Sequence, residues 1–176
     1  VASEPVTVVL SQAGYARAAK GHEIDPTALS YRSGDNYLAS AQGRSNQLAM
    51  FIDSTGRVYS VMAHTLPSAR GQGEPLTGRL TPPAGAGFVA VLGGEADSVY
   101  LVASDAGYGF RVRFNDMLAK NKAGKALLSL PKGATVLSPV LLRDPESDRL
   151  VAITNEGRML VFPVAELPEL IRGKGN

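Results

Sequence analysis

The chain repeats a pattern in which a short apolar run enters a glycine-containing turn and a strand-like run leaves it. The glycines of four such turns lie 42, 51 and 50 residues apart. The four copies read Leu10-Ser11-Gln12-Ala13-Gly14-Tyr15, Ile52-Asp53-Ser54-Thr55-Gly56-Arg57, Ala103-Ser104-Asp105-Ala106-Gly107-Tyr108 and Ile153-Thr154-Asn155-Glu156-Gly157-Arg158. Ser, Asp and Thr side chains bond the backbone ahead of them, and glycine accepts the positive φ of a tight turn. Each copy therefore predicts a β-hairpin.

Further elements recur downstream of the hairpins. Thr65-Leu66-Pro67, Met117-Leu118 and Glu166-Leu167-Pro168 follow three of the turns, and each precedes a basic loop that contains glycine. The segments after the loops predict a third strand at 78–80 and 126–128, then a Pro/Gly turn, and a fourth strand at 88–92 and 136–142. Four strands in about 40 to 50 residues is the count of one propeller blade.

We therefore predict an all-β, propeller-like domain of four-stranded blades. Three blades are complete, at about residues 6–42, 48–92 and 99–142, and a fourth, at 149–176, is partial. Because a blade buries its faces against its neighbours, we expect the natural protein to continue past this sequence.

Composition supports this fold and narrows the chemistry. Of 176 residues, 44% are apolar and the net charge is +2, which excludes gross disorder; 19 Gly and 11 Pro disfavour a mainly helical protein. The chain has no Cys and only two His, which excludes disulfides, thiolate metal sites and imidazole clusters. Phosphate-loop, dinucleotide, calcium-loop and nucleophile-elbow motifs are absent. We expect no catalytic residue, metal, cofactor or small-molecule substrate.

Basic residues recur at equivalent places of the repeat, after the turns and in the downstream loops. If equivalent loops lie side by side, these cations form an exposed band on one edge, which suits the phosphates of double-stranded DNA. Only 6% of residues are aromatic, which disfavours stacking on single-stranded bases. The predicted DNA contacts are Arg17, Lys20, Arg32, Arg57, Arg70, Arg79, Arg111, Arg113, Lys120, Lys122, Lys125, Arg158, Arg172 and Lys174. The alternative is ordinary solubilising charge on loops.

Several longer segments resemble a known family. They are Gly14-Tyr15-Ala16-Arg17, Leu66-Pro67-Ser68-Ala69-Arg70-Gly71-Gln72-Gly73, Ala103-Ser104-Asp105-Ala106-Gly107-Tyr108-Gly109-Phe110, Asn121-Lys122-Ala123-Gly124-Lys125 and Arg172-Gly173-Lys174-Gly175-Asn176. Together they resemble the β-pinwheel C-terminal domain of bacterial type IIA topoisomerase A subunits, on the topoisomerase IV side of that family. The gyrase members carry a Q-R-R-G-G-K-G box. Here Tyr31-Arg32-Ser33-Gly34-Asp35 stands near that place, which argues against tight DNA wrapping.

The resemblance implies a domain that binds and bends duplex DNA and supports decatenation and relaxation. It also implies about five blades, of which one and a half are outside this sequence, and a catalytic tyrosine that lies outside this chain. The expected partners are DNA, the rest of the A-type subunit, and the B-type subunit of topoisomerase IV. The expected location is the bacterial cytoplasm, at the nucleoid, with the holoenzyme peripheral to the inner membrane. The second hypothesis is a protein-interaction propeller, for example for a condensin-like partner.

Overall fold

The structure, a computed structural model, describes residues 2–144, 146–153 and 156–176. In these ranges the regular elements are β-strands and short 3₁₀ turns, so the prediction of an all-β fold is confirmed. The strands are β1 (Pro5–Ser11), β2 (Tyr15–Lys20), β3 (Tyr37–Arg44), β4 (Leu48–Asp53), β5 (Arg57–Met62), β6 (Glu74–Pro75), β7 (Phe88–Leu92), β8 (Val99–Ala103), β9 (Gly109–Arg113), β10 (Lys125–Ala126), β11 (Val140–Leu142), β12 (Arg149–Ile153) and β13 (Met159–Pro163). The 3₁₀ turns are Pro26–Ala28, Ala63–Thr65, Leu76–Gly78, Phe114–Met117 and Val164–Glu166.

The four predicted hairpins are present as antiparallel pairs: β1 with β2, β4 with β5, β8 with β9 and β12 with β13. Gly14, Gly56, Gly107 and Gly157 have φ of 85°, 88°, 89° and 83°, the left-handed region that the turns were predicted to need. Thr154 and Asn155 of the fourth turn, like Val1 and Pro145, lie outside the described residues.

The first two hairpin sheets each take one edge strand from the next repeat. The first sheet has the order β3-β1-β2-β6 and the second has the order β10-β5-β4-β7. The strand β6 follows the second hairpin in sequence but pairs with β2, and β10 follows the third hairpin but pairs with β5. In the third sheet, β11-β8-β9, the backbone of Gly109 exchanges two hydrogen bonds with that of Asn176 in the same place. Neighbouring repeats are therefore interlocked, and a sheet is not one continuous stretch of sequence.

This exchange corrects the predicted third strand. The strand is the pair Glu74–Pro75, while Leu76–Gly78 forms a 3₁₀ turn in which the N–H of Arg79 donates to the carbonyl of Leu76. Leu76 is fully buried. Residues 78–80 therefore lie at the end of a turn and not in a strand, and Leu76 and Leu80 are both buried there. The fourth strand is confirmed at 88–92, but within 136–142 only Val140–Leu142 is strand.

The hydrophobic cores lie between consecutive sheets. Side chains alternate across a strand, and in β4 Phe51 joins the core shared with the first sheet while Met50 and Ile52 join the core shared with the third. The same alternation in β8 sends Tyr100 and Val102 one way and Leu101 the other. The first strand of each of the first three hairpins (β1, β4 and β8) is largely buried on both faces, and this explains its nearly continuous apolar sequence.

Candidate nucleic-acid interface

Three basic loops approach the preceding sheet at the same register. Each loop ends in a glycine of positive φ: Gly73 (88°), Gly124 (70°) and Gly175 (84°). A Cβ on Gly73 would lie 2.8 Å from the carbonyl oxygen of Ala16, and one on Gly124 would lie 2.6 Å from that of Val58. A Cβ on Gly175 would collide with the Gly109 carbonyl in the same way. The three contacted residues each stand two positions past a turn glycine, so the loops are structurally equivalent.

Arginines on the second strands donate to backbone carbonyls of the following repeat, in its basic loop for Arg17 and Arg57 and just before that loop for Arg111. The guanidinium of Arg17 donates to the Gly71 carbonyl at 2.6 Å. Arg57 donates to the carbonyls of Ala123 and Gly124, at 3.0 and 3.1 Å. Arg111 donates to the Leu167 carbonyl at 2.9 Å. These hydrogen bonds occupy guanidinium groups that the sequence suggested for DNA.

Arg17 is the clearest departure from the predicted exposed band. It is 2% exposed, and its guanidinium carbon lies 4.7 Å from the centre of the Tyr31 ring. Burial raises the pKa of the Tyr31 hydroxyl, which donates to the Pro26 carbonyl at 2.6 Å. The expectation that Arg17 lies on an exposed band is therefore wrong, because the loop around residue 31 covers it. Arg57 and Arg111 are half-buried.

Three other predicted cations have partners within the protein. Arg79 pairs with Glu74 and also donates to the hydroxyl and the carbonyl of Thr65. Arg113 pairs with Glu169 at 3.1 Å. The ammonium of Lys125 donates to the backbone carbonyl of Asp116.

The remaining predicted cations are exposed. Among the described residues, five of their side chains make no hydrogen bond or ion pair: Lys20, Arg70, Lys120, Lys122 and Arg172. Arg158 is exposed as well. Arg32 lies over the ring of Tyr15 at 5.0 Å, and Lys174 lies over that of Tyr108 at 4.2 Å. The sequence analysis did not predict these cation–π contacts with Tyr15 and Tyr108, although a Gly-Tyr pair recurs in two of the four turns.

Two shallow clefts open beside these loops. One is bordered by Lys20, Arg70 and Ser68, and the other by Lys120, Lys122 and Arg79. Each lies between the end of a second strand and the loop of the next repeat. In the part of the chain that the structure describes, no group of acidic or imidazole side chains could hold a metal ion. Across those same residues, no helix has the length and apolarity needed to cross a bilayer.

Comparisons with known proteins agree on one class of domain. A family model described as "DNA gyrase C-terminal domain, beta-propeller" matches residues 99–142 and 148–176. The chain is 63% identical, over 99% of its length, to the A subunit of DNA topoisomerase 4 from Pseudomonas aeruginosa, and 58% identical to that from Escherichia coli K12. The solved E. coli ParC C-terminal domain superposes with a TM-score of 0.90 at 57% identity, covering 98% of this chain and 70% of that one.

The interlocked hairpin sheets and these matches define a β-pinwheel of the gyrase C-terminal type. Within that class, the chain belongs to the family of C-terminal domains of the bacterial topoisomerase IV A subunits, which confirms the resemblance seen in the sequence. The chain spans 23% of the length of the two curated relatives.

Proposed function

We propose that this chain is a non-catalytic module that binds and bends duplex DNA through the exposed cations of its basic loops. It serves a type II topoisomerase, in which it supports decatenation and relaxation. The catalytic tyrosine and ATP hydrolysis belong to other parts of that enzyme. Its partners are DNA, the rest of the A-type subunit and the B-type subunit, at the bacterial nucleoid. A condensin-binding scaffold gains no support from the comparisons.

The observation that carries the proposal is the equivalence of the three loops. Gly73, Gly124 and Gly175 fix each loop at the same register on the preceding sheet. Each loop presents exposed cations: Arg70 in the first, Lys120 and Lys122 in the second, and Arg172 in the third. A regular repeat of positive charge on successive sheets is suited to a duplex backbone, whose phosphates recur regularly and attract cations without regard to base sequence.

The pairing of other cations favours a bend over a tight wrap. Bending 20 to 30 base pairs costs about 1 to 6 kcal/mol, which a row of phosphate contacts must offset. Arg79 and Arg113 each pair with a glutamate, and Arg17 is buried, so fewer contacts are available than the sequence suggested. We therefore expect weak, salt-sensitive binding.

The test compares two variants of the full-length protein, one without four loop cations and one without four other exposed cations. The first variant combines Arg70→Gln, Lys120→Gln, Lys122→Gln and Arg172→Gln. The control combines Arg44→Gln, Lys132→Gln, Arg143→Gln and Arg149→Gln, which are exposed cations outside the predicted set. Both variants lose four positive charges.

Duplex affinity is measured by fluorescence anisotropy over a range of salt concentrations. Losing four phosphate contacts should flatten the plot of log Kd against log salt by about 3 to 4, at about 0.9 per phosphate. Decatenation of linked circles by the reconstituted enzyme should fall in parallel. Equal slopes for the two variants would reject the loops as the DNA-binding surface.

A further inference from the structure

One position of the repeat carries a different residue in each copy. Ala18 forms a parallel bridge to Ser68, and Arg111 forms the same bridge to Glu169. Ala18 and Arg111 each stand four residues past a turn glycine. In the second copy, the N–H of Ala119 donates to the hydroxyl of Ser60, also four residues past its glycine, at 2.9 Å. Three residues are therefore equivalent: Ser68, Ala119 and Glu169.

Two residues beyond Ala18, Ser60 and Arg111, the second strand has a residue that lies close to Ser68, Ala119 or Glu169. These residues are Lys20, Met62 and Arg113. In the first copy, exposed Lys20 lies beside the small Ser68, and both line a cleft with Arg70. In the third copy, the guanidinium of Arg113 is bound to the carboxylate of Glu169 at 3.1 Å. The same site of the repeat thus holds an unpaired cation in one sheet and an ion pair in another.

We propose that, in the first and third sheets, the residue at the Ser68/Glu169 position determines how strongly the strand cation attracts a DNA phosphate, and that Glu169 weakens the third sheet's contact by pairing with Arg113. The proposal rests on the proposed function and adds an affinity-determining residue to it. A small residue leaves the strand cation available. A glutamate neutralises that cation and places a negative charge within a Debye length, about 8 Å at physiological salt, of any phosphate at the site.

The side chain of Glu169 contributes little to the stability of the fold, so its effect on DNA binding can be measured separately. The side chains of Arg113 and Glu169 are 56% and 42% exposed, and exposed ion pairs stabilise a protein by about 0 to 1 kcal/mol. Replacing the carboxylate should therefore leave the thermal unfolding of the protein nearly unchanged.

Reciprocal substitutions in the full-length protein test the proposal. Glu169→Ser gives the third copy the residue of the first, and Ser68→Glu does the reverse. Glu95→Ser is the control for net charge, because Glu95 is exposed and its carboxylate makes no hydrogen bond or ion pair with the described residues. Affinity for a linear duplex is measured by anisotropy at several salt concentrations.

Glu169→Ser should tighten binding and steepen the salt slope by about 0.9, the value of one added phosphate contact. Ser68→Glu should weaken binding and flatten the slope by a similar amount. If Glu169→Ser changes affinity no more than Glu95→Ser does, the proposal is overturned. If Glu169→Ser unfolds, Glu169→Gln makes the same test with a side chain of equal size.

The loop variant with four glutamines separates the two proposals. If that variant loses DNA affinity while both reciprocal variants match the control, only the role of position 169 is rejected. If the loop variant matches its own control, the DNA-binding surface itself is rejected.

Discussion

The hydroxyl of Tyr59 donates a 2.6 Å hydrogen bond to Oδ2 of Asp53, a carboxylate that is 0% exposed. The other oxygen of Asp53 accepts hydrogen bonds from the backbone N–H groups of Thr55 and Arg57, at 2.8 and 3.0 Å. The buried carboxylate thus ties the turn of the second hairpin to a tyrosine in the core. Buried carboxylates are tolerated when their lone pairs are satisfied in this way.

Replacing Tyr59 by Phe should destabilise the domain by about 1 to 3 kcal/mol, because the substitution leaves Oδ2 of Asp53 buried without a donor. Urea unfolding of the 176-residue chain, followed by circular dichroism, measures the change. Tyr108→Phe is the control, since Tyr108 is exposed and keeps the ring beneath Lys174. Equal midpoints for the two variants would contradict a stabilising role for the Tyr59 hydroxyl.

The stability gap between the parent and Tyr59→Phe should narrow above about pH 10, the ordinary pKa of tyrosine. Burial, and then the hydrogen bond to Asp53, raise the pKa of Tyr59 in the folded state. The unfolded chain releases this proton first, so the contribution of Tyr59 is fully present below the unfolded pKa and declines as the pH rises towards the folded pKa. Burial also raises the pKa values of Tyr31 and Tyr100, but both residues remain in each protein. Unfolding free energies between about pH 8 and pH 11 test this, and a gap that widens above about pH 10 would be inconsistent with it.

The hairpins were predictable because their signals are local. A turn glycine such as Gly56 and the apolar run before it lie within a few residues of each other. The two strands that they predict pair with each other directly. The two-residue edge strands β6 and β10 were not predictable in the same way. Lys125–Ala126 is only two residues long, and its partner β5 lies in the preceding repeat. Nothing in a two-residue segment specifies which hairpin it joins.

Which basic side chains are exposed was also only partly predictable from the sequence. The sequence indicated which loops are basic, and the structure keeps Arg70 and Lys122 exposed in them. Arg17 could not be separated from these by sequence, because its burial depends on Tyr31, in a loop that follows β2. The pairing of Arg113 with Glu169 joins residues 56 positions apart. Charge is a property of the residue, whereas its availability is a property of the fold.

The close approach at Gly124 should make Gly124→Ala more destabilising than Gly133→Ala. Both glycines have positive φ, 70° and 81°, so both substitutions carry the left-handed penalty of about 1 to 2 kcal/mol. Only at Gly124 would the new Cβ also lie 2.6 Å from the Val58 carbonyl and 2.8 Å from the Tyr59 ring; around Gly133 the space is open. Urea unfolding measures the loss of unfolding free energy in each variant, and the difference between the two losses is the cost of the close approach at Gly124. Equal losses would show that the loop can move away from β5 without cost.

Arg57 and Lys122 should separate stability from DNA binding, although both are basic residues at the second loop. Arg57→Gln removes the donors to the Ala123 and Gly124 carbonyls and should destabilise the domain by about 1 to 2 kcal/mol, with little change in the salt dependence of duplex binding. Lys122→Gln should change stability by less than about 0.5 kcal/mol, because the side chain is exposed and makes no hydrogen bond or ion pair with the described residues. It should flatten the salt slope by about 0.9.

Urea unfolding of the chain and anisotropy titrations of the full-length protein, made on both variants, give the two readouts. Arg57→Gln should lower stability without changing the salt slope, and Lys122→Gln should do the reverse. A general loss of fold would instead lower stability and affinity together in each variant. If Arg57→Gln flattened the salt slope as much as Lys122→Gln did while remaining as stable as the parent, its guanidinium would be a phosphate contact, and the carbonyl bonds would not be what holds the loop in place.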